Sequence, residues 1–458
     1  MKQVLDYLAA HERRFVEELC QYVRFPSVSA QTKHSQDLAK CATWLRDHCR
    51  GIGLEAELHP TKGNPILMAR TPRRKGANRP HFLVYGHYDV QPPEPLELWK
   101  TPPFEPTQVG RQLFGRGASD NKGQNLAHLK AVEAYVRTGT ELPCDLTFLI
   151  EGEEEVGSEN LAAFLQKHRR ELACDAVVIS DTGIPSLRHP ALTYGLRGIA
   201  ALEIRVEGPS RDLHSGIYGG SVDNPALILS QLLAQMRDRR GRVTIPGFYD
   251  EVRPLSAFER KQLARLPFNA TAYRKFLGVP ALNGEQGFTP IEQRSARPTF
   301  EINGLTSGYQ GQGSKTIVPA WASAKITMRL VPGQNPKRIL KAAKSHLRKL
   351  CPPTVRLQIE EGHCGDPYLV SPDSPLARAG LRALKAAFGH DPLLMREGGS
   401  IPIVNDFKRI LGVDTLLLGL ALPDDNLHSP NEKFNLDCFA AGARMGVLLW
   451  KELGDCSR

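Results

Sequence analysis

The stretch His81-Phe82-Leu83-Val84-Tyr85-Gly86-His87-Tyr88-Asp89-Val90 has the pattern of a buried strand that ends at chemically active residues. Residues 82–85 are apolar or aromatic and favour β-structure. Side chains repeat every two residues along a strand, so His87 and Asp89 would share one face if the extended geometry continues that far. A metal-bound imidazole commonly donates its other N–H to a carboxylate. The stretch therefore fits a metal ligand with its orienting acid, and it equally fits a core histidine satisfied by a neighbouring acid.

Other strand-like runs also lead to possible metal ligands. Residues 145–150 precede an acidic run at 151–155, residues 176–180 precede Asp181, and residues 414–420 precede His428. Four carboxylates in five positions repel one another unless cations or protonation relieve them, although a solvated acidic loop is the simpler interpretation. Between these runs, a glycine-rich loop presents Asp120, which by itself is typical of a turn residue.

The order of the elements predicts the fold class. Strand-like runs alternate with helical patterns, which favours an α/β fold with a mostly parallel sheet covered by helices on both faces. Ligands in such folds bind beyond the carboxyl ends of the strands, so one crevice there would collect the candidate ligands. Between about 195 and 365 the strands alternate apolar and polar residues, which indicates an inserted two-layer α+β unit. We expect a catalytic domain formed by residues 1–195 and 366–458, interrupted by residues 196–365, and an amphipathic first helix over residues 1–25.

Composition narrows the class of protein. The 458 residues are 41% hydrophobic and 24% charged, and no apolar run approaches the ~20 residues of a membrane span. Nine scattered cysteines without a C-x-x-C pair argue against disulfides or a thiolate zinc site and favour the cytoplasm. The net charge of +10 is spread along the chain, and its densest clusters, Arg73-Arg74-Lys75 and Arg239-Arg240, lack aromatic neighbours. We therefore expect no nucleic-acid or membrane partner.

The candidate ligands form a set with defined chemistry. Imidazoles and carboxylates without thiolates suit Zn²⁺ or Mn²⁺. Five ligands are too many for one open catalytic zinc, but they suit two ions if one carboxylate bridges. Such a pair turns a bound water into a hydroxide nucleophile, and a nearby unliganded carboxylate can pass the proton to a leaving amine. The set is His87, Asp120, Glu155, Asp181 and His428.

Along its whole length the chain resembles the M20 family of metallopeptidases, and most closely the cytosolic, carnosinase-like dipeptidase branch. The motifs that carry the resemblance are Gly86-His87-x-Asp89-Val90-Gln91-Pro92, Gly115-Arg116-Gly117-x-x-Asp120-x-Lys122-Gly123, Glu154-Glu155-x-Gly157-Ser158, Ser180-Asp181, Asp212-Leu213-His214-Ser215-Gly216, Arg396-Glu397-Gly398-Gly399-Ser400-Ile401-Pro402 and His428-Ser429-x-Asn431-Glu432-Lys433.

The resemblance implies roles for the candidate ligands. His87 and Asp181 would hold one metal ion, Glu155 and His428 the other, and Asp120 would bridge the two. Asp89 would orient His87. Such an arrangement implies two divalent ions per subunit.

The resemblance also implies a general base and a backbone feature. Glu154 would be the base, and Glu153 beside it makes an assignment shifted by one residue the main alternative. The Asp120–Asn121 peptide bond would be cis. Asn121 stands where close relatives have a second aspartate, which leaves the charge behind the metal site open.

Further residues follow from the same resemblance. The inserted unit would be a lid that also forms a homodimer, with His214 acting across the interface to stabilise the developing oxyanion. Arg329 and Thr316 would grip the C-terminal carboxylate of the substrate, and Ser400 would add hydrogen bonds to the same end. Without the resemblance, His214 and Arg329 are ordinary exposed residues of a loop and a strand.

Three functions remain open at this point. The first is hydrolysis of dipeptides or short peptides that have a free C-terminal carboxylate. An amidohydrolase that removes N-acyl or N-carbamoyl groups would need nearly the same metal site. A dimeric metal-binding scaffold without catalysis would have no use for the base Glu154.

Overall fold

The computed structural model describes residues 1–72, 79–399 and 401–456. Ser400 and the basic cluster Arg73-Arg74-Lys75 lie outside the described residues. Contacts divide the chain into two units, and the first comprises Met1–Tyr194, Val370–Met395 and Ile403–Arg458. The second comprises Gly195–Leu369 and Arg396–Pro402, so that this last peptide groups with the second unit although it lies in the third predicted segment.

Helices alternate with strands along much of the described chain, as the order of the sequence patterns predicted. The N-terminal region differs from the expectation of one helix, because it forms two helices that are separated at His11. In chain order the α-helices are α1 (Lys2–Ala10), α2 (Glu12–Val23), α3 (Ser35–Gly51), α4 (Gln124–Arg137), α5 (Leu161–Lys167), α6 (Ser215–Tyr218), α7 (Pro225–Ala234), α8 (Ala257–Ala264), α9 (Ala270–Leu277), α10 (Pro290–Ala296), α11 (Pro336–Leu350), α12 (Pro375–Phe388), α13 (Ile403–Asp406) and α14 (Leu436–Cys456).

The strands are short in the first unit and longer in the second. In chain order they are β1 (Glu55–His59), β2 (Ile66–Arg70), β3 (His81–His87), β4 (Thr107–Val109), β5 (Gln112–Phe114), β6 (Asp145–Glu151), β7 (Ala176–Ile179), β8 (Ala191–Leu196), β9 (Gly198–Glu207), β10 (Leu213–His214), β11 (Thr299–Ser307), β12 (Ile317–Val318), β13 (Trp321–Leu330), β14 (Arg356–Gly365), β15 (Tyr368–Leu369), β16 (Leu393–Glu397), β17 (Thr415–Leu417) and β18 (Lys433–Asn435).

The main sheet of the first unit is mixed, so the prediction of a mostly parallel sheet is wrong. Its centre follows the prediction, since β6, β3, β7 and β17 are neighbours and run parallel. Its margins do not: β1, β2 and β6 pair antiparallel in succession, and β8 pairs antiparallel with β17. The strands β1 and β2 are joined by a short turn, which permits only an antiparallel hairpin.

The parallel centre of this sheet places the candidate site. Strands β3, β6 and β7 are buried along almost their whole length and end side by side at the same edge. A second, three-stranded sheet in this unit pairs β18 with β5 and β5 with β4. That pairing brings the segment after His428 beside the segment that leads to Asp120, although more than 300 residues separate them.

The second unit contains an antiparallel sheet in the order β11-β13-β9-β14. Helices α7 and α11 pack on it, and buried side chains such as Leu202, Ile326 and Leu340 form the core between sheet and helices. This arrangement is consistent with the predicted two-layer α+β unit, in which helices cover one face of a sheet and the other face is exposed to solvent.

Two further findings concern the expectations from composition. Within the ranges given above, no helix is both long enough and apolar enough to cross a membrane. Eight cysteines in those ranges are free thiols.

Candidate active site

The end of one strand and four segments that follow strands carry the predicted metal ligands. His87 ends β3, Glu154 and Glu155 follow β6 in a short turn, Asp181 follows β7, and Asp120 lies between β5 and α4. His428 belongs to the loop between β17 and β18. Apolar strands bury their side chains and end where polar residues begin, so the ends of neighbouring parallel strands present these residues at one edge of the sheet.

His87, Asp120 and Asp181 form a first group of possible ligands. One donor atom from each of them lies within 4.8 Å of the others. The Nε2 atom of His87 is 3.2 Å from Oδ1 of Asp120 and 3.7 Å from Oδ2 of Asp181. This nitrogen is buried and has no hydrogen bond of acceptable geometry in the described chain. A buried ring nitrogen that makes no hydrogen bond and is flanked by two carboxylate oxygens has the surroundings of a metal ligand.

Asp120, Glu155 and His428 form a second group with the same spacing. The Nε2 atom of His428 is 3.0 Å from Oδ2 of Asp120 and 3.4 Å from Oε2 of Glu155. Asp120 thus turns one carboxylate oxygen toward each group. The structure brings together all five predicted ligands, and the one they share is the residue expected to bridge.

The pKa shifts of these groups indicate a site that is stabilised by bound positive charge. Burial, together with the charge of Asp120, raises the pKa of Glu155 from 4.5 to about 9. Burial and Asp120 also raise the pKa of Asp181. The carboxylates around His87 outweigh its burial and raise its pKa well above 6.5. Carboxylates crowded at low solvent exposure are stabilised by protons or by cations, and divalent ions supply the larger charge.

A third group of acids and a histidine, in the same unit, already contains a cation. Glu18, His48 and Glu133 have donor atoms as close together as those of the other two groups. Here the ammonium of Lys130 donates to Nε2 of His48 and to Oε2 of Glu133, both at 2.8 Å. Burial and this lysine lower the pKa of His48 to about 3, which keeps the imidazole neutral. The lysine occupies the position that a metal ion would need.

Asp89 contacts both His87 and the turn that carries the glutamates. The Nδ1 atom of His87 is 3.0 Å from the main-chain oxygen of Asp89 and 3.4 Å from its Oδ1. The carboxylate accepts hydrogen bonds from the main-chain N–H groups of Glu154, at 3.2 Å, and Glu155, at 3.1 Å. Sequence periodicity indicated only the contact with His87; the contact with the turn depends on the approach of β6.

The three consecutive glutamates have different environments. Glu153 is buried and accepts hydrogen bonds from the main chain of Asn64 and the side chain of Asn160. The Glu154 carboxylate makes no hydrogen bond or ion pair in the described chain, and burial raises its pKa well above 4.5. Glu155 belongs to the second ligand group. Only Glu154 therefore has a carboxylate with the freedom to exchange protons, which favours it over Glu153 as the base.

The Asp120–Asn121 peptide bond is cis, as the sequence resemblance implied. Asn121 is buried, and its Nδ2 atom donates to the main-chain oxygen of Ser180 at 2.6 Å and to Oδ1 of Asp181 at 2.7 Å. An aspartate could donate at most one of these two hydrogen bonds, and only when protonated. The asparagine thus orients Asp181 without adding a negative charge.

Glu432 is a residue of this site to which the sequence analysis assigned no role. Its buried carboxylate accepts from the main-chain N–H groups of Gly117, Ser119 and Asp120 at 2.9 to 3.0 Å, and from Nη1 of Arg116 at 2.8 Å. It joins the loop that carries His428 to the loop that carries Asp120. The motif His428-Ser429-x-Asn431-Glu432 was the available signal.

The remaining predicted site residues that the structure describes belong to the second unit. His214 is exposed, and its Nδ1 atom accepts from the main-chain N–H of Gly216 at 3.0 Å. Thr316 lies beside it, because its main-chain oxygen accepts from Ser215 N–H at 3.1 Å. Arg329 is half-buried on β13, opposite Ile199, and burial lowers its pKa. Their roles in substrate binding stay predictions.

Comparison with known proteins assigns the chain to a family. The family model described as peptidase family M20/M25/M40 matches residues 83–452. The Cys-Gly metallodipeptidase dug1 of Schizosaccharomyces pombe is 31% identical, with 100% of both chains covered. The Beta-Ala-His dipeptidase of Homo sapiens is 30% identical over 99% of this chain and 92% of its own. Among solved structures, an M20 family metallo-carboxypeptidase, Sso-CP2 from Sulfolobus solfataricus, superposes with a TM-score of 0.86 at 31% identity, covering 96% of this chain and 99% of that one.

Proposed function

The chain belongs to peptidase family M20/M25/M40 and is a metallopeptidase of that family, and from this premise we propose that it hydrolyses dipeptides or short peptides with a free C-terminal carboxylate. The observation that carries the proposal is that Asp120 belongs to both groups of possible ligands. Glu154, whose carboxylate makes no hydrogen bond in the described chain, directly precedes the proposed ligand Glu155. The full-length similarity to a Cys-Gly and a Beta-Ala-His dipeptidase supports a dipeptide substrate.

The donor set supports a pair of Zn²⁺ or Mn²⁺ ions as the cofactor. His87 and Asp181 would hold one ion, Glu155 and His428 the other, and Asp120 would contact both. Bound there, the ions would supply the Lewis acidity that activates water and polarises the scissile carbonyl.

The side chains of the protein itself perform the proton transfers and the positioning. Glu154 accepts the proton of the attacking water and donates it to the nitrogen of the departing amino acid. Burial raises the pKa of Glu154 well above its ordinary value of 4.5, which makes the carboxylate a stronger proton acceptor. Asp89 holds the main chain of the same turn through the N–H groups of Glu154 and Glu155.

The second unit would supply the contacts to the substrate. Arg329 and Thr316 would bind the C-terminal carboxylate, the arginine through two parallel hydrogen bonds, and Ser400 would add a further one. His214 would stabilise the oxyanion from across a homodimer interface formed by this unit. A cytoplasmic location stays a prediction from the cysteine pattern.

A substrate panel tests this function against its alternatives. The purified protein, supplied with Zn²⁺ or with Mn²⁺, is assayed on Cys-Gly, Beta-Ala-His and Ala-Ala and, in parallel, on N-acetyl and N-carbamoyl amino acids. We expect hydrolysis of the dipeptides with higher kcat/KM than of the acylated amino acids. A preference for the acylated set would establish the amidohydrolase instead. Metal binding without turnover of any compound would establish the scaffold.

A further inference from the structure

The turn that carries Glu154 is bonded to a hairpin that is distant in sequence. The main-chain N–H of Asn64, between β1 and β2, donates to Oε1 of Glu153 at 3.0 Å. The side-chain Nδ2 of the same asparagine donates to the main-chain oxygen of Gly152 at 2.8 Å. Both acceptors directly precede Glu154. One asparagine thus holds two successive residues of the turn.

Other contacts show that this approach is close and specific. A Cβ atom on Gly63 would lie 1.6 Å from Oε1 of Glu153, so any larger residue there would force the Glu153 carboxylate to move. A Cβ atom on Gly152 would lie 2.3 Å from the ring of Tyr88, and the hydroxyl of that tyrosine donates to the main-chain oxygen of Pro65 at 2.7 Å. The hairpin and the turn are therefore packed against each other, and the hydrogen bonds of Asn64 and of Tyr88 lie at this contact.

The other oxygen of the Glu153 carboxylate accepts a second hydrogen bond. Nδ2 of Asn160, just before α5, donates to Oε2 of Glu153 at 2.8 Å. The N–H groups of Glu154 and Glu155 donate to the Asp89 carboxylate, so the turn is held by groups from three separate segments. The Glu154 side chain itself makes no bond within the described chain, so its position depends on the main chain of the turn.

We propose that Asn64 and Glu153 are positioning residues that hold the turn so that the Glu154 carboxylate is aimed at the reacting groups. The inference rests on the proposed role of Glu154 as base. A displacement of about 1 Å in a catalytic group can cost about 100-fold in rate, which is why a base without hydrogen bonds of its own needs a fixed main chain. The residues proposed to bind the C-terminal carboxylate and the oxyanion lie outside this turn, so its loosening lowers kcat far more than it raises KM.

The first experiment compares Asn64→Ala with Lys62→Ala, an exposed neighbour in the same hairpin, using Cys-Gly and Ala-Ala as substrates. For Asn64→Ala we expect kcat to fall about 10- to 100-fold with KM within about twofold of the parent. At saturating Zn²⁺ the metal content by elemental analysis stays at the parent's value, because the other four proposed ligands lie outside this turn, and hydrogen exchange speeds up in peptides that span residues 150–158. Lys62→Ala matches the parent in all four measurements. An unchanged kcat in a protein whose exchange has sped up would overturn the proposal.

A second experiment uses rescue, which a general loss of stability would not reproduce. Glu153→Gln replaces one of the two accepting oxygens with an NH₂ group, so either the N–H of Asn64 or the NH₂ of Asn160 loses its acceptor, and we expect a similar fall in kcat. Adding Asn160→Asp restores a donor–acceptor pair and leaves the net charge of the pair as in the parent. Recovery of about tenfold or more in kcat supports the proposal. Failure to recover kcat in a double variant with the parent's Tm contradicts it.

The parallel variant Glu154→Gln separates this inference from the proposed function. If Glu154→Gln leaves kcat unchanged, dipeptide hydrolysis stands, but the assignment of the base is wrong and so is the positioning role that rests on it. If Glu154→Gln abolishes turnover while Asn64→Ala and Glu153→Gln do not lower it, only the positioning role is wrong.

Discussion

The predicted metal ligands of the first unit and the predicted substrate contacts of the second are held in different ways. His87 is fully buried, and the loops around it are fixed by the carboxylates of Asp89 and Glu432. His214 is exposed, and its side chain accepts one hydrogen bond in the described chain, from the N–H of Gly216. Residues expected to keep a fixed mutual geometry are bonded within their own unit, and even the exposed His428 contacts Oδ2 of Asp120 at 3.0 Å. Of the residues expected to meet a substrate, His214 and Thr316 are exposed and Arg329 is half-buried.

The largest effect should follow from Glu432→Ala. The substitution leaves the buried Arg116 and three main-chain N–H groups without their acceptor, and breaking a buried charge pair costs about 3–5 kcal/mol of unfolding free energy. We expect loss of bound metal as well, since the Asp120 loop is no longer held. Urea denaturation and elemental analysis measure the two effects. The matched control is Asp437→Ala, whose exposed pair with Arg111 is worth at most about 1 kcal/mol. Equal stability of the two variants would contradict the view that the buried network holds the site.

Glu154→Gln should abolish turnover and leave the fold intact. The amide keeps the size of the side chain but cannot accept a proton, and loss of a general base costs about 10²- to 10⁴-fold in kcat. Because the carboxylate makes no hydrogen bond in the described chain, we expect parent-like Tm and metal content. Steady-state kinetics with Cys-Gly, thermal unfolding and elemental analysis check this. A variant that retains its kcat would place the base elsewhere.

His214→Ala should lower activity and leave stability unchanged. Loss of one group that stabilises an oxyanion costs about 10²-fold in kcat, whereas exposed substitutions change the unfolding free energy by about 0.5 kcal/mol or less. Kinetics and thermal unfolding of the same preparation measure both quantities.

Mixed dimers test whether His214 acts across an interface. A dimer with His214→Ala in one chain and Glu154→Gln in the other would retain one complete site if the histidine acts on its partner, and none if it acts on its own chain. Turnover near half that of the parent dimer is the expected result.

The smallest effect concerns the pH dependence of stability in the metal-free protein. Folding raises the pKa of Glu155 from 4.5 to about 9, so the folded chain binds this proton more tightly than the unfolded chain. The Tm measured with a chelator should therefore fall by a few degrees as pH rises from about 5 to about 9. With saturating Zn²⁺ or Mn²⁺ the carboxylate is held in its charged form, and the fall should disappear. A Tm that falls equally with and without metal would argue against Glu155 as a ligand.

Local patterns were sufficient to predict most elements near the site. Apolar runs predicted β3 and β6, and the observed bounds of both strands agree closely with those runs. Patterns did not predict the direction of the sheet margins, because an isolated strand sequence carries no information on which side its neighbour lies. The sequence run at 151–155 likewise could not tell Glu153 from Glu154, since both follow the same strand.

The long-range polar contacts were not predictable. Asn64 acts on a turn 88 residues away, and Glu432 acts on a loop more than 300 residues away. Asn64 lies in no motif, and the motif that contains Glu432 does not identify the groups that this residue binds. The contacts form because pairing of β2 with β6 and of β18 with β5 brings distant loops together.

The sequence by itself determined the kinds of atoms available to the site, imidazoles and carboxylates that follow apolar strands, because burial of those strands requires their ends to be polar. The tertiary structure alone decided that Asp120 faces two groups at once, that Glu154 is unbonded while Glu153 is not, and that Asn121 orients Asp181. Those outcomes depend on separations of a few ångströms between segments far apart in the chain, and only the packing of the strands and loops sets such distances.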